Sequence, residues 1–169
     1  MSSSEAGTLV GTFAPLAHGS LYIHGDDTVP GPLHPKLKAL LAAWQARCCG
    51  RDMPRRDDLP AQKLRSWLGH LALLEPAGAS FRFRISGTDL IPRCGGEATG
   101  KSVDELPPEF GASLSAILRR ACASRAPVLA ALIQRQEDST ALYSELVLPL
   151  QDRDPAHLLL LLGSYSLLG

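Results

Sequence analysis

Aromatic residues are scarce, at 5% of the 169-residue chain, and neither sign of charge is in excess: Lys plus Arg and Asp plus Glu both number 17. Zero formal net charge removes any global pull towards nucleic acid or an anionic membrane, although local patches stay open. Long apolar runs are lacking. The run in "HLLLLLGSYSLLG" is too short to cross a bilayer and reads as a buried strand. The opening "MSSSEAGTLVGTFAPLAHGS" has no basic residue before its first His, so it reads as neither a secretory signal nor a span. Cys48, Cys49, Cys94 and Cys122 show no C-x-x-C spacing, which makes reduced thiols in a cytosol the expectation. His18, His24, His34, His70 and His157 are scattered, with no close Cys or Asp at ligand spacing, so no metal site is expected and no catalytic constellation emerges.

What is present is enough apolar material for one folded domain, 45% hydrophobic against 20% charged. Residues 1–33 are rich in Gly, Ser, Pro and Ala, and "VPGPLHP" closes them, so a flexible or loosely docked arm is expected there. A domain over 34–169 follows. Leu37, Leu40, Leu41 and Trp44 form one stripe at helical spacing and predict a leading amphipathic helix over 35–49, with Gly50 as its stop. Asp58 can cap a short helix near 60–67.

Beyond it the period changes. Residues 70–76, "HLALLEP", read as a strand, and "SFRFRIS" over 80–86 alternates, with Phe81, Phe83 and Ile85 on one face and Arg82 and Arg84 on the other. The short link between them makes a hairpin. "GTDLIPRC" predicts a helical turn capped by Thr88. Residues 109–126 form the longer helix, with Phe110, Leu114, Ile117, Leu118 and Ala121 on one face. Three strand candidates end the chain: "PVLAALIQR", "TALYSELVLPL" and "AHLLLLLGSYS". This order predicts an α+β domain with an antiparallel sheet.

One motif points elsewhere. "GGEATGKS", Gly95 to Ser102, satisfies the phosphate-loop pattern G-x-x-x-x-G-K-[ST]. Such a loop needs an apolar strand running into its first Gly and a long helix springing from the Lys, whose free N–H groups hold phosphate. Here Pro92 bars a central strand before the loop, and Pro107 and Pro108 limit any helix after it to about one turn. A Gly-rich connection in which Gly100 takes a positive φ is the expectation, with a small nucleotide-binding enzyme as a distant alternative.

Four stretches, "AAWQARCCGRDMPRRDDLPAQKLRSWLGHLALLE", "FRFRISGTDL", "GGEATGKSVDEL" and "LYSELVLPL", together resemble a PAS domain. More narrowly, they resemble the compact, mostly single-domain bacterial PAS proteins, over about residues 40–162. Arg51, Pro54, Arg56, Asp58, His70, Arg82, Arg84, Gly87, Thr88, Gly95, Thr99 and Gly100 fit that pattern, whereas Cys94 and Gly96 depart from it. The resemblance implies a five-stranded antiparallel sheet with short helices on one face, one longer helix and the flanking leading helix. It implies a stand-alone, non-enzymatic, cytoplasmic regulatory module that binds a small molecule, a signalling partner or both. Neither nucleic acid nor membrane is an expected partner.

Candidate residues follow from that expectation. His70, Phe83, Ile85, Leu90, Leu114, Leu118, Cys122, Leu146 and Leu148 are the candidates for a ligand pocket. A filled core built from the bulkier of these would instead make a pure protein–protein adaptor. No His lies in the longer helix, which argues against haem, and Cys94 lacks the neighbours of a flavin-photosensing cysteine, so no cofactor is expected. Strict alternation puts Leu146, Leu148 and Leu150 on the expected core face and Tyr143 and Glu145 on the back of the sheet. Tyr143 and Glu145, with Leu37, Leu40, Leu41 and Trp44 of the leading helix, are therefore the candidates for an interface, and a homodimer is the expected assembly. Cys48 and Cys49 stand as ordinary helix-end thiols, with oxidant sensing as the alternative.

Overall fold

Pro35 opens the first helix, α1 (Pro35–Ala46), and the His34 side chain caps it by accepting from the Lys36 N–H. The helix stops three residues before its expected end, because Cys49 and Gly50 both take positive φ (51° and 80°). The computed structural model describes residues 13–15, 21–24, 34–135 and 140–167. After α1 a Pro-bounded connection leads into a 3-10 helix, Ala61–His70, which feeds the hairpin of β3 (Leu71–Ala77) and β4 (Ser80–Ser86). The short helix α2 (Ile91–Cys94), the longer α3 (Pro108–Ser124) and then β5 (Val128–Arg135), β6 (Thr140–Gln151) and β7 (Leu158–Ser166) complete the order.

All strand pairings are antiparallel. The five strands expected from the sequence lie in the order β5-β6-β7-β3-β4, so the last strand sits in the centre beside the first hairpin. Two short strands from the N-terminal segment, β1 (Phe13–Pro15) and β2 (Leu21–His24), extend this sheet to seven by pairing onto β5. Regular structure thus reaches into the stretch expected to be a loose arm; the other residues of 1–33 lie outside the described set.

Both faces of the sheet are covered by the same chain. On one, α3 lays Phe110, Leu114, Ile117, Leu118 and Ala121 against Phe81, Phe83, Val147 and Leu160. On the other, α1 lays Leu37, Leu40 and Trp44 against Leu129, Leu146, Leu148 and Leu161. Each such Leu or Phe withdrawn from water contributes about 1.5–3 kcal/mol. The α1 layer is also hydrogen-bonded in place: Trp44 Nε1 donates to the Pro149 carbonyl, and Trp67 Nε1 from the 3-10 helix donates to the Lys36 carbonyl, both at 2.8 Å. Gly163 on β7 makes this close docking possible, since a Cβ there would lie 2.7 Å from Leu37 Cδ2.

Two local expectations change. Ile85 does not share a face with Phe81 and Phe83. The β3–β4 register shifts between Leu73 and Leu74, so that Ile85 pairs with Leu73 and Phe83 with Leu74. This bulge turns Ile85 out of the interior, leaving it 55% exposed. Thr88 is inside its 3-10 turn rather than its cap; Gly87 holds the cap position, with no side-chain capping bond.

Candidate functional site

Glu145 comes from the middle of an apolar strand, and its surroundings define the most chemically distinctive place in the molecule. Its side chain is 0% exposed on the α3 side of the sheet. Arg93, on α2 and itself 4% exposed, donates from Nη1 to Glu145 Oε2 at 2.6 Å. The same Nη1 donates to Ser164 Oγ, and the Ser164 hydroxyl donates to Glu145 Oε2. Ser164 stands opposite Glu145 in the β6–β7 ladder, so the sheet register itself brings these two groups together.

Two rings pack against the guanidinium. The Phe110 centroid lies 4.3 Å and the Tyr143 centroid 3.7 Å from Arg93 Cζ, a desolvated cation–π arrangement with two rings. The remaining carboxylate oxygen, Glu145 Oε1, is buried and has no hydrogen-bond partner among the described residues. A buried acceptor left open costs about 1–3 kcal/mol, so a donor supplied there would be favourable. Next to the cluster Cys94 is buried, and burial pushes its thiol up to about 11.

This placement reverses the expectation for β6. Tyr143 and Glu145 do not form an interface on the back of the sheet; they and Val147 face α2 and α3, while Leu146, Leu148 and Leu150 face α1. Alternation separates the two faces of β6 without saying which helix covers each. Glu145 therefore cannot supply an interface. Leu37, Leu40 and Trp44 are likewise taken up within their own chain, and Leu41 is half-buried beside them. The apolar surface their stripe needs is the chain's own sheet.

The pocket candidates separate in the same way. Phe83, Leu90, Leu114 and Leu118 are buried together on the α3 side, with Cys122 packed against them. Leu146 and Leu148 belong to the α1 layer instead, and Ile85 is exposed. His70 also lies on the α1 side, stacked on the Tyr165 ring at 3.9 Å, which in turn stacks on His34 at 4.5 Å. Its Nε2 faces Asp89 Oδ2 and its Nδ1 the Ser164 carbonyl, both at 3.2 Å. Arg93 and Ser164 were not singled out in the sequence. The available cue was the carboxylate in "LYSELVLPL", which demands a buried cation somewhere in the chain.

The Gly95–Ser102 stretch does structural work at a sheet edge. Gly100, at φ 86°, donates its N–H to the Phe83 carbonyl, and the Lys101 carbonyl accepts from the Phe83 N–H, so the turn covers part of β4. Ser102 and Glu105 form a capping box on a three-residue 3-10 turn, not the start of a long helix. The "GRDMPRRDD" stretch acts as a clasp: Arg51 donates to the carbonyls of Arg47 and Cys48 at the end of α1 and pairs with Asp58 at 2.9 Å. Hydrogen bonding from the Arg55 N–H, then from Arg51, holds the Asp58 carboxyl below its ordinary range. Among the described residues no group of three or more His, Cys, Asp or Glu is placed to hold a metal, and no helix is long and apolar enough to cross a membrane.

A central β7 flanked by β6 and β3, with α2 and α3 across one face, is the architecture of a PAS-type signal-sensing domain. The family model for the PAS domain matches residues 33–166, most of the chain, and the protein belongs to that family. No curated protein matches it. The family is one of sensory and regulatory modules and is generally non-catalytic.

Proposed function

We propose that this protein is a non-enzymatic PAS-type sensory module that reads a small-molecule signal on the α3 side of its sheet and passes it on by protein–protein contact. The observation that carries this reading is the Arg93–Glu145–Ser164 cluster. A buried ion pair contributes little net stability over apolar side chains of the same volume, so its retention favours a role in specificity or switching. Here it ties a helix of only four residues to the sheet. A ligand carrying a hydrogen-bond donor would satisfy Glu145 Oε1, compete with Arg93 for the carboxylate and free α2 to move. The test is native mass spectrometry of the purified protein, followed by thermal scans against small molecules bearing amine, amide or hydroxyl donors. A retained or added ligand should raise the melting temperature of the wild type and not of Glu145→Gln. A ligand that stabilises both equally overturns this role for the cluster.

A second reading has its own observation. Phe83, Leu114, Ile117 and Leu118 are all at most 1% exposed and pack as one body, as a filled core would. A protein that emerges ligand-free and is shifted by no donor-bearing compound supports an adaptor that signals through its surface alone. In either case self-association is proposed to use a surface other than the α1 stripe, and light scattering reads it directly.

A further inference from the structure

Leu68 and Ile85, 46% and 55% exposed, are the large apolar side chains left open to solvent among the described residues, and they meet at one place. Together with Leu64, Leu71, Leu73 and Leu161 they line an apolar pit of about 70 Å³ on the α1 side of the sheet. The pit adjoins a wider groove of about 550 Å³, with which it shares Arg56, Ala61, Leu73 and Ile85. Ile85 stands here only because the bulge beside Leu73 and Leu74 reverses its face. Bulges recur where a side chain is re-aimed for use, and clustered exposed apolar side chains mark contact sites.

The rim is cationic. Arg56, Arg84 and Arg153 line the wider groove against Asp57 and Asp152. Arg153 is engaged with Asp57 at 3.3 Å. Arg56 donates to a carbonyl, that of Leu59, rather than to a carboxylate. Arg84 reaches its nearest carboxylate, Glu75, only at 4.0 Å, and Glu75 also holds Arg82 at 3.3 Å. Two guanidiniums beside an apolar pit are complementary to carboxylates flanking an aliphatic side chain.

We propose that this groove binds an acidic amphipathic segment of a partner protein, with one aliphatic side chain in the pit and neighbouring carboxylates on Arg56 and Arg84. A second copy of this chain fits poorly. Two exposed apolar side chains fall far short of the roughly 800 Å² that each partner buries in a stable interface. A two-fold contact at this patch would also set these arginines against their own copies. The proposal gives the module its partner site and rests on the reading of the chain as one that signals by protein–protein contact.

The experiment is peptide-display selection on the full chain, followed by fluorescence anisotropy with the enriched peptides. Expected are peptides with an aliphatic residue flanked by Asp or Glu. Leu68→Gln/Ile85→Thr and Arg56→Glu/Arg84→Glu should each weaken them at least about tenfold, and the latter should reverse the salt dependence, so that added salt no longer weakens binding. Leu68, Arg84 and Ile85 are exposed and Arg56 is half-buried, so circular dichroism and a thermal melt of each variant are compared with the wild type before binding is read. Selection of no peptide, or of peptides indifferent to both variants, overturns the proposal. So does a dimer in light scattering that Leu68→Gln/Ile85→Thr dissolves, since the occupant would then be a second copy. Ligand-linked stabilisation through Glu145 is a separate readout, and its loss would leave peptide binding intact.

Discussion

Arg93 and Glu145 lie 52 residues apart in the chain and meet at 2.6 Å with exposures of 4% and 0%. Each is the reason the other can be buried. Removing one member leaves an uncompensated charge in an apolar site, which costs about 3–5 kcal/mol, whereas replacing both by apolar side chains is often close to neutral. Glu145→Leu alone and Arg93→Met alone should therefore each destabilise by that order, and the double variant by less than about 1–2 kcal/mol. Urea denaturation of the four proteins measures the coupling; additive losses would show that the pair does not act as a unit.

Gly163 sets the distance between α1 and the sheet. In Gly163→Ala the new methyl meets Leu37 Cδ2 at 2.7 Å and Leu40 Cδ2 at 3.1 Å. Overpacking of this kind costs about 1–3 kcal/mol. Trp44, whose indole is fixed to the Pro149 carbonyl, reports the same event through its fluorescence. A variant with unchanged stability and emission would mean that α1 yields without resistance.

Between Gly100 and Lys101 the backbone, not the lysine side chain, makes the contacts to Phe83. Lys101→Ala should leave stability within about 0.5 kcal/mol of the wild type. Gly100→Ala forces a Cβ onto a residue at φ 86° and should cost about 1–2 kcal/mol. Thermal melts separate the two. A fluorescent nucleotide that bound at micromolar concentration and was lost in Lys101→Ala would revive the phosphate-loop reading.

The buried Cys94 thiol gives the molecule an alkaline weakness. Unfolded, it ionises near its ordinary 9.0, whereas burial delays ionisation in the folded chain to about 11. The folded state keeps the proton longer, so this contribution to stability is whole below pH 9.0 and is lost as pH climbs through 11, up to about 2–3 kcal/mol. Denaturation midpoints should fall across that window and fall less in Cys94→Ala. Iodoacetamide at pH 8 should modify the exposed Cys49 well before Cys94.

Much of the architecture was legible because periodicity reports burial. The Leu37–Trp44 stripe, the Phe110–Ala121 face and the final strands appear in the structure within a few residues of their expected bounds. What alternation could not supply was direction. In β6 both faces are apolar enough to be interior, since α1 and α3 cover the sheet from opposite sides, and the charge of Glu145 suggested an interface where the structure has a buried partner within the chain. That partner, Arg93, sits in a short Pro-containing turn that reads as surface in isolation, and only the fold brings it beneath Phe110. Ile85 eluded the pattern for a different reason: a bulge of one residue reverses every face beyond it.

Three consecutive residues of β7 serve opposite sides of the molecule in turn. Gly163 makes room for α1, the Ser164 hydroxyl joins the cluster that anchors α2, and Tyr165 stacks on the two imidazoles near the start of α1. Since neighbouring side chains on a strand point opposite ways, a slip that brought Ser164 to the place of Gly163 would thrust a hydroxymethyl group into the leucines of α1 and set the Tyr165 ring before Arg93. One helix would be lifted and the other cut loose by the same small motion. The central strand thus admits no setting that suits one flank alone, and whatever disturbs it must be felt on both.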